Sequence, residues 1–449
     1  MYFNEKTRSA NPSFFLTLFQ NLQTESVKLQ LMQKQWINVL IVGMALGTAW
    51  AVRGQFGHEQ GAAWAGGIGA LALLMVSGRN DWGKKALAVV MASAAGWGAS
   101  GMISYGQIVG YGRADNFLNA AYGLLMLFVI GNLYGLLGGG MVGLSLISGR
   151  QHPVKWYSLV TGMTAGGVVA WYFLIEQLGL LMTPPRSEAW AVCLGAAAVM
   201  IWYMVLNRLQ PALKVALFSS LGAGFGFAFG NFLQIAGNVL QINFNMWNVM
   251  EYSIGFFGGC AMAYAVFTTE WTGEKETLIP EKWEDKLAFL FCFVLIPLLV
   301  FQQSSGLMRP LLSHDSASAS VTLTGSLVTL ALMIAMIFAA AAVIRVTAPS
   351  ARAFYLFALY ALVYILASYS VSGAWKGEFL LNHHLYLINL VVILLVARRH
   401  FPSFFNLREQ KISASGWIKG FLSLVLVILL LSLIAISMHG ELPGSNLRF

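Results

Sequence analysis

Residues 321–344 read VTLTGSLVTLALMIAMIFAAAAVI, a stretch of apolar and small residues without one charged side chain. Wound as an α-helix it would rise about 36 Å, enough to cross the ~30 Å hydrocarbon core of a bilayer. A second such stretch, FLSLVLVILLLSLIAIS, occupies residues 421–437. Working outward from these two, apolar runs of spanning length lie near 37–52, 62–77, 86–105, 118–147, 156–178, 188–206, 212–235, 249–269, 285–302, 319–345, 352–370, 384–398 and 416–437. The expected fold is an all-α polytopic membrane protein, with about thirteen transmembrane helices joined by short loops. Composition agrees, because hydrophobic residues fill 58% of the 449 positions and charged residues only 10%. A water-soluble protein carries about 25% charged residues. This chain cannot cover itself against water, so its main partner is the lipid bilayer.

Residues 1–35 are polar and mixed in charge, with no small-residue cleavage site of the kind that ends a secretory signal. Within them, Phe15, Leu18, Phe19 and Leu22 stand at helical spacing and suit an interfacial amphipathic helix over 14–32. Residues 36–437 read as one transmembrane domain. Its seam is the Glu- and Lys-rich loop at 270–286, dividing halves 36–269 and 285–398, with a last helix at 416–437 and a tail at 438–449. Ser313 to Ser320 reads as a flexible loop. Cys193, Cys260 and Cys292 fall inside apolar runs, where a thiol behaves as a small hydrophobe.

Alternate loops differ sharply in charge. The N-terminal segment and the loops after even-numbered spans hold 21 of the 27 Lys and Arg residues; the remaining six are Arg53, Arg113, Arg186, Arg309, Lys376 and Arg448. The positive-inside rule puts the richer side in the cytoplasm, so the N-terminus is expected inside and the C-terminus outside the cytoplasmic (inner) membrane. Topology thus accounts for the net charge of +9 without a nucleic-acid partner.

The chain also repeats a pattern. Ala95-Gly96-Trp97-Gly98, then Gln107, then Gly135 to Gly139 is matched by Ala223-Gly224-Phe225-Gly226, then Gln234, then Gly255 to Gly259. Each unit is a helix, an outer turn with a Gln, and a returning glycine-rich helix. All copies run in one direction, which predicts parallel helical hairpins related by an axis along the membrane normal.

Chemistry concentrates on the outer side. The first outer turn reads Arg53-Gly54-Gln55-Phe56-Gly57-His58-Glu59 between two short spans, so it should dip below the membrane surface. An ordinary polar turn has no need of Arg, His and Glu together, and ionisable groups at membrane depth pair or line a cavity. Arg53 should therefore pair with Glu59 or with Glu251, at the start of the eighth span. Gln107, Glu176, Gln177 and Gln234 end odd-numbered spans, followed by Asn238, Asn243, Asn245 and Trp247. Further on, Trp375, Lys376 and Glu378 lead to Asn382, His383 and His384. One outward cavity joining Arg53, His58, Glu59, Glu251 and the His383–His384 corner is expected.

Amides both donate and accept hydrogen bonds, indoles cover the apolar face of a ring, and a few charges fix orientation. That set suits a sugar or sugar acid. His58 with Glu59, and His383 with His384, are sequence neighbours without the spacing of a metal site, and no nucleotide or other cofactor motif is present. The function expected is secondary, ion- or proton-coupled transport of a small polar solute, with Glu59, His58, Glu251 and His383 as candidate proton carriers. The alternative is a membrane-embedded enzyme with an external site acting on glycans, a transferase or hydrolase using the same His and Glu groups as acid and base. Neither expectation fixes the oligomeric state.

Overall fold

The computed structural model describes residues 35–271, 278–304, 316–374, 379–399, 404 and 413–449. In chain order the helices are α1 Gln35–Arg53, α2 His58–Ser77, a short α3 Asn80–Lys84, α4 Ala86–Gly101, α5 Gly106–Gly112, α6 Phe117–Ile147, α7 Trp156–Gln177 and α8 Glu188–Leu206. There follow α9 Gln210–Val239, α10 Met246–Phe267, α11 Lys282–Ser304, α12 Ser316–Val346, α13 Pro349–Ser372, α14 Leu381–Arg399 and α15 Ala414–Met438. Among the described residues twelve helices are long and apolar enough to cross a bilayer, and α4 with α5, bent by 65°, forms a broken span or a re-entrant loop, for twelve to thirteen in all. The protein is an all-α polytopic membrane protein, as its apolar runs predict.

Local chemistry sets the helix ends. Asn116 accepts from the backbone of Asn119 at the start of α6, and Asn245 accepts from Trp247 and Asn248 at the start of α10. These side chains satisfy amide groups that a helix leaves open in its first turn. Pro211 and Pro349 open α9 and α13, where the missing N–H costs nothing.

The centre of the fold is the contact of α6 with α9 and of α9 with α10. Lipid provides no hydrophobic drive between helices, so close backbone contact must replace it. Gly131, Gly135, Gly139 and Gly143 supply it, one per turn along α6. A Cβ on Gly135 would collide with the Ser219 carbonyl and one on Gly131 with that of Ala223; on Gly143 it would sit 2.8 Å from the Ala212 Cα.

The loops gather at two ends. At one, Lys85 donates to the carbonyls of Leu146 (2.8 Å) and Ser148 (3.1 Å), Lys214 donates to Thr268 (2.7 Å), and Gln35 donates to Phe404 (2.8 Å). These loops carry the excess Lys and Arg, so this is the basic end. At the other, Arg186 meets Glu59, Ser104 donates to the Thr183 carbonyl, and Asn446 N–H donates to the Gly110 carbonyl. The alternation of loops read from charge is thus matched in space.

The regions 36–269 and 285–398 share a core. Tyr364 of α13 donates to the Gly61 carbonyl of α2 at 2.9 Å, and Trp64 of α2 stacks on Tyr360 at 5.1 Å. Segment 14–32 and Ser313 to Asp315 lie outside the described residues, while residues 316–320 open α12 and are helix, contrary to the expected loop. The paired glutamines of the repeat occupy different surroundings. Gln107 is exposed on the short α5, because α4 breaks before it, whereas Gln234 is buried within the unbroken α9.

Candidate functional site

Arg53 is the last residue of α1, followed by a tight turn in which Gln55 N–H donates to Val52 (3.1 Å) and Phe56 N–H to Arg53 (2.9 Å). Gly57 then adopts φ 87°, a left-handed conformation that glycine takes without a Cβ penalty, and α2 begins. Phe56 anchors the turn by packing on Trp64 and Tyr364.

Held this way, Arg53 folds inward and is only 1% exposed. Its Nη2 donates to Glu251 Oε2 at 2.9 Å, to Oε1 at 3.2 Å and to the Tyr105 hydroxyl at 2.5 Å. The Tyr105 hydroxyl in turn donates to Glu251 Oε1, closing a triangle. Glu251 is 5% exposed on α10. Tyr105 reaches the pair because the chain breaks between α4 and α5, and Tyr105 is the residue immediately before α5. Aromatic rings box the charges in: the guanidinium lies 4.8 Å from the Trp50 ring centre and 5.6 Å from that of Tyr105. Trp50 meets Trp97 (5.0 Å) and Tyr134 (5.4 Å), and Tyr105 meets Phe227 (4.9 Å). An isolated charge here would be costly, and the carboxylate is what makes the buried guanidinium tolerable. Arg53 Nε and Nη1 still lack an acceptor.

His58 is exposed above this triangle, its ring 5.5 Å from that of Tyr105. Glu59 pairs with Arg186 at 3.3 Å, and both side chains are open to solvent (44% and 49% exposed). Of the two expected carboxylates, Arg53 therefore takes Glu251. Gln55, Gln107 and Gln177 are exposed at the same end. Trp375, Lys376 and Glu378 lie outside the described residues. His383 is buried with Ser368 Oγ 3.0 Å from its Nε2, and His384 Nδ1 is 2.8 Å from the Leu380 carbonyl. Their described hydrogen bonds are made with α13 and the start of α14, and none of these joins them to the Arg53 group. The ring of Tyr386 meets that of His383 at 5.6 Å.

A polar cavity of about 640 Å³ opens at this end of α9 and α10. Gln234, Asn238, Asn243, Trp247 and Arg113 line it, and Pro443 of the tail closes one side. The Arg113 guanidinium lies 5.4 Å from the Trp247 ring centre and donates to the Pro443 carbonyl at 3.3 Å. Burial pulls Arg113 below its ordinary pKa. Gln234 is fully buried; its Oε1 accepts from Asn231 at 3.1 Å, while its Nε2 has no partner. Deeper along the α6–α9 seam, beyond residues 221–230, which carry no polar side chain, Ser220 donates to Asn132 at 2.7 Å. From Gln234 to Ser220 the helix rises about 21 Å.

The tail is strapped across this end. Asn119 Oδ1 accepts from the backbone of Arg448 (2.6 Å) and Phe449 (3.2 Å), and the Arg448 guanidinium lies 4.8 Å from the Tyr122 ring centre.

Two residues of this arrangement were not legible as site residues. Tyr105 looks like one more aromatic at the end of an apolar run, and Arg113 registered only as a minority charge in the topology count. The available signal was the Tyr-Gly step at 105–106, a point where a helix can break. Among the described residues no group of three or more His, Cys, Asp or Glu is placed to hold a metal ion. Compared with protein-family models, curated proteins and solved structures, the chain matches none of them.

Proposed function

We propose that the protein is a secondary transporter of a small polar solute of the sugar or sugar-acid class. It sits in the cytoplasmic membrane with its N-terminus inside and the amide cavity facing out. The observation that carries this is the cavity beside Gln234 and Asn238, lined by amides, an indole and a guanidinium. Amides, an indole and one guanidinium suit a polyhydroxyl ligand with an acidic group. Orientation rests on the bias of Lys and Arg toward one set of loops. Glu59, His58, Glu251 and His383 are the groups through which a proton gradient would be coupled.

The test is uptake by proteoliposomes of a labelled panel of neutral sugars and sugar acids, with and without a pH gradient. Concentration of at least one of them that collapses with the gradient is expected. Equal accumulation by empty vesicles for every member would refute the proposal. One observation favours an enzyme as the second reading. The titratable groups stand at one end of the helices, whereas transporters place their sites near the midplane. An external glycan-modifying enzyme would turn over substrate in detergent with no gradient present.

A further inference from the structure

Beside the amide cavity lies a second one, of about 390 Å³, between α1, α9, α10 and α14. Its walls are of opposite chemistry to the first. Phe229, Phe244, Tyr252, Phe256, Phe257 and Tyr386 supply rings, and polar groups are confined to a few side chains such as Asn382 and Asn389. Asn389 donates to Thr48 Oγ1 at 2.5 Å. The groove exists because α14 leans on α13 and stands off from α10. Phe244 lines both cavities, so the polar and aromatic spaces share one wall.

Each cavity also has a buried polar atom without a partner, Gln234 Nε2 in the first and the Tyr386 hydroxyl in the second. Both side chains are more than nine-tenths buried. Among the described residues the two linings contain one cation, Arg113, and no carboxylate. A free sugar would use the amide cavity and leave the aromatic one without purpose. A plain hydrocarbon chain would have no use for Arg113 and the amides.

We propose that the two cavities bind one amphiphile, a lipid with an acidic sugar headgroup among Arg113, Trp247 and Gln234, and a hydrocarbon chain that passes Phe244 into the aromatic groove. This rests on the amide cavity being the solute site, and it narrows the solute to a lipid-linked one. A chain moving from bilayer to groove gains nothing from the hydrophobic effect, because lipid tails are as apolar as the rings. The groove therefore admits the chain, selection lies in the headgroup, and the advantage of the amphiphile over a free sugar comes from its enrichment in the bilayer beside the groove.

The experiment uses the full chain in phosphatidylcholine nanodiscs and labelled n-dodecyl β-D-glucuronide as probe. Saturable binding is expected, displaced about tenfold less well by free glucuronate and not by dodecyl sulfate. Val249→Trp, which fills the groove from α10, should weaken the probe about tenfold and leave glucuronate unchanged. Leu385→Trp, at a partly exposed position on the α14 wall, repeats that test should the first variant unfold. Arg113→Gln should weaken both ligands. If glucuronate displaces the probe as well as the probe itself does, and the groove variants bind normally, the amphiphile is refuted while the polar site stands. If neither ligand binds saturably, the amide cavity falls as well. Displacement by dodecyl sulfate would show a groove filled by any lipid and would overturn the proposal.

Discussion

Glu251→Gln should unfold the protein more readily than any conservative change on its surface. The amide keeps the shape of the carboxylate and can still accept from Tyr105. It removes the charge that faces Arg53 across two contacts, at 2.9 and 3.2 Å. Arg53 is 1% exposed and has no second carboxylate within salt-bridge distance among the described residues, so its charge is left buried and uncompensated. Removing one partner of a buried pair costs about 3–5 kcal/mol. Arg53→Met alone strands Glu251 and should cost a similar amount. Combining Arg53→Met with Glu251→Gln removes both charges at once and should come back to within ~1–2 kcal/mol of the parent. The double-mutant cycle then gives a coupling of at least ~3 kcal/mol. Thermal unfolding in one detergent, followed by tryptophan fluorescence, measures all four proteins. Additive losses in the double variant would mean that the pair is not coupled, and the argument from burial would be refuted.

Glu59→Gln should change stability by no more than ~1 kcal/mol, because its pair with Arg186 is open to water; the same unfolding assay checks it. Gly135→Ala should destabilise by ~1–3 kcal/mol or more, since the added methyl meets the Ser219 carbonyl where neither backbone can retreat. Gly106→Ala, with nothing near its Cβ, is the control and should be close to neutral in the same experiment. Lys85 lies between α3 and α4, and burial lowers its pKa from 10.5 to about 8. The folded protein thus loses that proton before the unfolded chain does, so stability should rise as pH increases from about 8 toward 10.5. Lys85→Met should flatten that rise in unfolding scans across the same pH range.

The helices were legible because a run such as 321–344 has only one solvent that suits it. The need of Arg53 for a carboxylate followed from the cost of its charge, but the choice between Glu59 and Glu251 did not. Glu59 is near in sequence, yet the turn through Gly57 sends it to the rim, while α10 brings Glu251 from far along the chain to the end of α1. Loop charge assigns residues to an end of the molecule and says nothing of their position around it. That is why it names His383 and His384 as outer-end residues but not their partners, Ser368 and the Leu380 carbonyl. Tyr105 became part of the site through a helix break, which no apolar count detects.

The strap formed by residues 442–449 bears on how the protein is made. Chains are synthesised from the N-terminus, and early segments fold before later ones exist. α9 and α10 can meet α6 as soon as they enter the bilayer, yet one side of the amide cavity is Leu442 and Pro443. Those residues arrive only after α15 has inserted against Phe128 and Ala228 through Phe421 and Ile428. Until α15 has inserted the cavity lacks a wall, so a partly built chain would hold the helices of its site without the finished pocket.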